Sequence, residues 1–188
     1  MSSFLARYVA AAAPGGLALV QGLLNTRATA SGAEDLLDES STAQAWLQNG
    51  LKEWAELTGS QLVEQQVGPR ALVELRALRD RVRSYLAGDR VDARIDQPIT
   101  VVSTADGTLR TQPTGAGIRW VESAIWGAVL MAQDRDTLRR LKLCRNEACG
   151  SAFYDRSKNN SGVWHDVHIC GNAANLRASR ARRRAPVT

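Results

Sequence analysis

All the cysteines and histidines of the chain lie near its C-terminal end, within residues 143–184, and these are side chains that bind zinc. Thiolate sulfur and imidazole nitrogen are the usual ligands of structural zinc sites. Unrelated cysteines are rarely arranged as matched pairs, so their concentration predicts a metal site here. The candidate ligands are Cys144, Cys149, His165, His168 and Cys170.

The spacing of these residues suits a closed site with four ligands. Cys144 and Cys149 form a C-x4-C pair, and His165 and Cys170 form an H-x4-C pair after fifteen intervening residues. Each pair closes a short loop that directs two donors to one point, and the segment between the pairs is long enough to bring them together. We therefore predict a tetrahedral Cys3His site for structural Zn²⁺, with no position left for water.

Two histidines, His165 and His168, are candidates for the fourth ligand. His168 lies two residues before Cys170, and donors so close in sequence strain a tetrahedral arrangement, so His165 is favoured. If neither histidine bound the metal, three cysteines and a water could form a catalytic zinc, but nothing marks a carboxylate such as Glu147 as its base. The sequence also has no phosphate-binding loop, nucleophile elbow or HExxH motif, so we expect no enzyme activity.

A basic helix is predicted directly after the metal-binding residues. Asn172 is a suitable N-cap, alanine and arginine favour helix, and the helix must end before Pro186. From residue 173 to 188 there are five arginines and no acidic residue, so this tail accounts for the whole net charge of +5. A metal-supported basic helix suits a nucleic acid partner. The candidate DNA-binding residues are Arg177, Arg180, Arg182, Arg183 and Arg184.

The segment resembles the CGNR zinc finger, a family named for a Cys-Gly-Asn-Arg signature. Its pattern is C-x-N-x-x-C, then F-x-D-x-S-x-N, then W-C-x4-C-G-N-R and a basic helix. His165 stands where the family has a cysteine, and Ala173 stands where it has the signature arginine. The matching residues are Cys144, Asn146, Cys149, Phe153, Asp155, Ser157, Asn159, Trp164, Cys170, Gly171 and Asn172.

This resemblance implies a function as well as a structural zinc ion. The chain looks like a stress-induced bacterial transcription regulator, with a helical N-terminal domain before a small treble-clef or ribbon-like zinc module that binds duplex DNA. Ala173 removes one contact of the signature arginine, either to DNA or within the finger. Residues 17–27 resemble a motif of the family's helical domain, which would put Asn25 and Arg27 near a ligand pocket. The alternative role for both is hydrogen bonding at a helix end.

The rest of the sequence predicts a mainly α-helical domain with one small β-hairpin. Apolar residues recur at three- and four-residue steps in several segments. β-Branched residues on both sides of Asp106-Gly107 predict a hairpin near residues 95–112. The predicted helices run from about Leu17 to Thr26, from Thr42 as cap to Leu57, from Ser60 to Gln66, from Pro69 to Ala87, and from Ile118 to Gln133.

These elements suggest a helical sensor or dimerisation domain at residues 1–140 and a zinc module at 141–188. Trp120 and Trp126 are candidates to line a small-molecule pocket, although a buried tryptophan on a helix more often serves only the core. DNA readers with two-fold symmetry are often dimers, but no dimer seam is visible.

The opening segment and the small number of cysteines favour a cytoplasmic protein. Pro14-Gly15-Gly16 interrupts the opening apolar run, so neither a secretory signal nor a membrane span is expected. Few cysteines, all in one site, suit a reducing cytoplasm. The leading hypothesis is a transcription regulator that binds double-stranded DNA. The alternatives are a zinc-stabilised module for an acidic protein partner and an RNA-binding protein.

Overall fold

A computed structural model describes residues 11–29, 32–89 and 95–184. Within these ranges the fold is mainly α-helical with two short antiparallel hairpins, which confirms the predicted fold class. The helices are α1 Leu17–Leu24, α2 Ser40–Thr58, α3 Pro69–Ala87, α4 Ile118–Asp134 and α5 Asn172–Arg184. The strands are β1 Ile99–Ser103, β2 Leu109–Pro113, β3 Leu141–Leu143 and β4 Ala152–Tyr154.

Helix α1 lies at the centre of the core. Every residue from Leu17 to Leu24 is buried, which is the environment that a helix apolar on all sides requires. Helices α2, α3 and α4 pack against it, and so does strand β4. Trp54 of α2 and Trp120 of α4 meet edge to face, with ring centroids 5.4 Å apart. The apolar face of each surrounding helix therefore covers α1.

Helix α3 has the boundaries that the sequence predicts. Pro69 occupies the first turn, where its missing N–H is not needed. Leu72, Leu75 and Val82 are buried at the predicted spacing. Gly88 ends the helix with φ 81°, in the left-handed region that favours glycine.

Two predictions for the segment around α2 are wrong. Thr42 does not cap α2, because the helix begins at Ser40 and the Thr42 hydroxyl donates to backbone carbonyls of the preceding turn. The predicted helix from Ser60 to Gln66 does not form. The Gln44 side chain donates to the Gln65 carbonyl at 2.9 Å and accepts from Val67 N at 2.8 Å, which holds that segment as a loop against α2.

The first hairpin, β1–β2, forms where it was predicted. Ile99 pairs with Pro113 and Ser103 with Leu109. Gly107 has φ 80°, so the turn needs the freedom of glycine at that position.

Among the helices in the described ranges, none is both long and apolar enough to cross a bilayer.

The second hairpin, β3–β4, joins the helical core to the metal-binding segment. Leu141 pairs with Tyr154 and Leu143 with Ala152. Leu141 and Ala152 are buried in the same apolar cluster as the helices. The division at residues 140 and 141 stays a prediction. Of the opening segment considered as a signal peptide, residues 1–10 lie outside the described ranges, and its second half forms α1.

Candidate metal centre

The predicted ligands converge on one point. The ligand atoms of Cys144, Cys149, His165 and Cys170 all lie within 4.8 Å of one another. Nδ1 of His165 is 3.3 Å from Cys149 Sγ and 3.4 Å from Cys170 Sγ. Tetrahedral coordination with Zn–S bonds of about 2.3 Å holds ligand atoms roughly 3.5–4 Å apart, so the donor set fits a structural Zn²⁺.

The position of the two histidines resolves the choice of fourth ligand. His165 is half-buried within the cluster, whereas His168 is exposed and outside it. Burial lowers the pKa of His165, although the charge of Asp166 opposes the shift. Because a metal ligand must be the neutral imidazole, this environment suits coordination at neutral pH.

The first ligand pair is held by a tight loop between β3 and β4. Cys144 N donates to the Ser151 carbonyl at 2.7 Å, and this bond closes the loop at its base. Cys149 N and Gly150 N both donate to the Asn146 carbonyl, at 2.8 and 2.9 Å. The loop therefore directs both sulfur atoms toward the same side.

The second pair lies at the start of a helical segment that begins earlier than predicted. A π-helical turn, Val167–Gly171, precedes α5, and Asp166 caps it by accepting from Ile169 N at 2.9 Å. The prediction that Asn172 is the N-cap is wrong, because its backbone is already helical at φ −62° and ψ −42°. Asp166 supplies the capping oxygen instead, so Cys170 lies inside the first helical turns.

Gly171 allows the chain to pass close to Trp164. A Cβ atom at this position would lie 3.3 Å from Trp164 Cδ1 and 3.4 Å from Val167 Cγ1. The first distance is tighter than an ordinary contact, so a larger residue would require the tryptophan ring to move by a few tenths of an ångström. The glycine thus keeps Cys170 at its place beside the other ligands.

Two polar side chains hydrogen-bond to the ligand sulfurs. Asn146 Nδ2 lies 3.3 Å from Cys170 Sγ as a donor, and Ser151 Oγ lies 3.1 Å from Cys149 Sγ. Burial, together with the neighbouring Cys149 and Cys144, raises the pKa of the Cys170 thiol to about 12, and the bond from Asn146 opposes this shift. The thiolate form therefore depends on a cation, and Zn²⁺ supplies that charge when bound.

The same asparagine connects the metal centre to α5. Arg177 of α5 donates from a terminal guanidinium nitrogen to Asn146 Oδ1 at 2.7 Å, and Asn146 is only 8% exposed. The two contacts form a chain from Cys170 through Asn146 to Arg177. The sequence pattern marked Asn146 as a family position but gave it no role, and this contact supplies one.

Asp155 organises the loop between β4 and the second ligand pair. Its carboxylate accepts from Lys142 Nζ at 2.7 Å, Ser157 N at 2.9 Å and Gly162 N at 2.7 Å. Burial would raise the pKa of Asp155, but the bonds from Lys142 and Ser157 hold it well below the usual 3.8. A Cβ at Gly162 would lie 2.9 Å from the carboxylate, so this close approach needs glycine.

Replacing Asp155 by Asn should therefore destabilise the protein at neutral pH. We expect a loss of about 2–3 kcal/mol in the free energy of unfolding, because a buried charged acceptor is removed from Lys142. Chemical denaturation in excess zinc measures the change. Asp136→Asn is the matched control, since the Asp136–Arg139 pair is exposed at 72% and 53% and should contribute under about 1 kcal/mol.

The lowered pKa of Asp155 determines how the stability lost in Asp155→Asn depends on pH. The folded-state pKa of Asp155 is lowered, so its stabilisation is fully present above the unfolded value near 3.8 and is lost as the pH falls below it. The difference between the native protein and Asp155→Asn should then be constant between about pH 5 and pH 8. A difference that changes across this range would assign the effect to His165 or the thiols.

The predicted DNA-binding arginines are only partly described. Arg177 makes the contact to Asn146, and Arg183 is exposed. The side chains of Arg180, Arg182 and Arg184 lie outside what the structure describes. The assignment of all five to DNA stays a prediction.

The four predicted effector residues lie at different places in the fold. Asn25 is buried and bonds to the Ala152 backbone, with Nδ2 to O at 3.0 Å and N to Oδ1 at 2.7 Å. Arg27 is exposed and lines a cavity of about 100 Å³ beside Cys149. Trp120 and Trp126 are 6% and 5% exposed in the core.

A separate groove of about 700 Å³ lies between the β1–β2 hairpin, the end of α2 and α4. None of the four predicted effector residues lines it. Sequence reasoning missed this groove because the hairpin and α4 meet only in the folded chain. Its apolar wall includes Leu17, Trp54, Ile99, Val101, Ala128 and Met131.

Comparison with known proteins agrees with the geometry of the centre. The CGNR zinc finger family model matches residues 140–183, which include all four clustered ligands. No curated protein matches the chain significantly. The family match and the Cys3His cluster together support structural zinc binding by this segment.

Proposed function

We propose that the protein is a cytoplasmic, DNA-binding transcription regulator that uses its zinc-supported C-terminal helix to dock on duplex DNA. The observation that carries the proposal concerns the contacts that α5 makes with the rest of the chain. Its principal contacts are with the preceding π-helical turn, rather than with the helical core. A 13-residue helix is about 20 Å long, and the major groove of B-DNA is wide enough to admit it.

In this proposal the ion has a structural role and the chain's residues aim the helix. Bound Zn²⁺ would link the Cys144–Cys149 loop to the turn that carries Cys170. Asn146 then holds Arg177, which fixes the direction in which α5 leaves the metal centre. The remaining arginines would bind phosphates, which position a protein on DNA without reading its sequence.

The helical domain has a sensing role in the same proposal. The 700 Å³ groove combines an apolar wall with Arg110 and Arg135. That combination suits a small apolar molecule with an acidic group. An effector bound there would contact the β1–β2 hairpin and α4 directly. Dimerisation through this domain is a further part of the proposal that the oligomeric state would test.

Salt dependence tests the proposed contact with phosphates. The four arginines other than Arg177 should give a slope of log K against log salt near roughly −3 to −4. Arg183→Gln should reduce the magnitude of the slope by about 0.9, because one phosphate contact is lost. Fluorescence anisotropy with a labelled duplex across a salt series measures both quantities.

Arg70→Gln is the matched control for this experiment. Arg70 lies on α3 and is 92% exposed, with one i,i+4 partner in Glu74. Its replacement changes net charge equally but should leave the slope unchanged. A slope near zero for the native protein on every duplex would contradict DNA binding.

An acidic protein or an RNA is the other class of partner for the basic helix. Recovery of a partner that persists after nuclease treatment would favour a protein. Preferential competition by structured RNA over duplex DNA would favour RNA, since an A-form duplex presents its grooves differently from B-DNA. Duplex DNA as the strongest competitor is the result that the proposal requires.

A further inference from the structure

The π-helical turn and the first turns of α5 carry uncharged side chains that nothing in the described chain covers. Ile169 is 62% exposed and Leu176 is 53% exposed. Asn172 lies between them and is also exposed. Asn172 and Leu176 are four residues apart on α5 and share one side of it, and Ile169 lies in the π-helical turn directly before them. Cys170 and Gly171, between Ile169 and Asn172 in the sequence, are buried.

This triplet matches the chemistry of an A·T base pair in the major groove. Thymine presents its C5 methyl group there, and adenine presents the N7 acceptor and the N6 amino donor. An asparagine amide can donate to N7 and accept from N6 at once, and aliphatic side chains pack on the methyl group. We infer that Ile169, Asn172 and Leu176 read A·T base pairs in the major groove, an inference that rests on the proposed DNA binding.

The charge around the triplet favours a polyanion over a second copy of the chain. The tail from residue 173 to 188 carries five arginines and no acidic residue. Two such helices would repel each other, whereas phosphates on both sides of a groove would attract them. Ala173 follows Asn172 directly and adds to the fit, because its methyl group leaves room for base edges where a longer side chain would take up space.

Replacing thymine by uracil isolates the methyl contacts. The probe is an A·T-rich duplex of about 20 base pairs, two turns of B-DNA, with a second copy in which every thymine is uracil. The sequence, charge and base pairing are preserved, and only the methyl groups are removed. We expect the full-length, zinc-loaded protein to bind the uracil duplex about threefold to tenfold more weakly.

Variants assign the effect to individual side chains. Leu176→Ala and Ile169→Ala should each weaken binding to the thymine duplex and reduce its advantage over uracil. Leu130→Ala is the matched control, because Leu130 of α4 is 54% exposed but lies on another helix. Asn172→Ala should remove the sensitivity of binding to 7-deazaadenine, a base that lacks the N7 acceptor. Zinc content of each variant is measured to verify that the finger is intact.

Each possible outcome supports or overturns the inference that these side chains read A·T base pairs. Weaker uracil binding that depends on Ile169 and Leu176 supports the inference. Equal affinity for the two duplexes, with the salt dependence retained, overturns the inference and leaves the proposed function standing. Absence of binding to every duplex at low salt overturns both. A change in oligomeric state of Leu176→Ala, with unchanged DNA affinity, would assign the face to pairing between copies and overturn the base-reading role.

Discussion

Removal of zinc should release residues 165–184 from the protein while α1 to α4 stay folded. The described direct bonds between this segment and the Cys144–Cys149 loop are few, and Asn146 makes two of them, to Cys170 and Arg177. Structural zinc contributes about 10–16 kcal/mol in isolated fingers, far more than those bonds. The β3–β4 hairpin should stay in place, because its apolar residues belong to the helical core.

Hydrogen exchange with and without a chelator shows which residues unfold when zinc is removed and which stay folded. Cys170 N and Gly171 N, which donate to the Asp166 carbonyl in the native turn, should exchange rapidly once zinc is gone. Ala152 N, which donates to buried Asn25, should stay protected. The proposed DNA binding should fall to the background level in the same sample, because α5 no longer has a fixed direction.

The two histidines provide a matched pair of variants for the same prediction. His165→Ala removes a ligand and should reproduce the effect of the chelator, with loss of stoichiometric zinc. His168→Ala changes an exposed residue outside the cluster and should retain both zinc and protection. Rapid exchange throughout α1 to α4 after chelation would instead mean that the helical core depends on the ion.

The metal centre could be predicted from the sequence because the residues that define it lie close together in one segment. Cysteine and histidine are restricted in the chain to one segment, and the two matched spacings leave few ways to combine them. Helix α3 was predictable for the same reason, since proline, periodic leucines and glycine mark its start, face and end within one segment. Asp166 as a cap was missed because a π-helical turn has no familiar sequence pattern.

Contacts between distant segments could not be predicted in this way. The loop after α2 has residues that could form a helix, but Gln44, 21 residues before Gln65, binds its backbone and holds it as a loop. The sequence placed Asn25 near a ligand pocket or at a helix end. Asn25 does lie at the end of α1, as its cap residue. Its side chain, however, bonds to Ala152, which is 127 residues away in the sequence, and no periodicity connects the two.

Asn25→Ala should be among the most destabilising single substitutions outside the metal ligands. The Asn25 side chain forms two bonds to Ala152, one as donor and one as acceptor, and is 4% exposed. Alanine would leave the buried Ala152 N–H without its partner, at a cost of about 1–3 kcal/mol, and would leave the Ala152 carbonyl with only the longer bond from Gln21 Nε2 at 3.4 Å. We therefore expect a loss of about 2–5 kcal/mol in the free energy of unfolding, measured by denaturant titration in excess zinc.

The same substitution should weaken zinc binding, since Ala152 follows directly on the loop that holds Cys144 and Cys149. Competition with a chromogenic chelator measures this affinity independently of stability. Asn175→Ala is the control, because Asn175 is an exposed asparagine on α5 whose replacement should change stability by less than about 0.5 kcal/mol. Lower stability together with weaker zinc binding would mean that α1 supports the metal loop through β4. Lower stability with unchanged zinc affinity would mean that the Cys144–Cys149 loop keeps its shape without that support, and unchanged stability would contradict the role of Asn25 altogether.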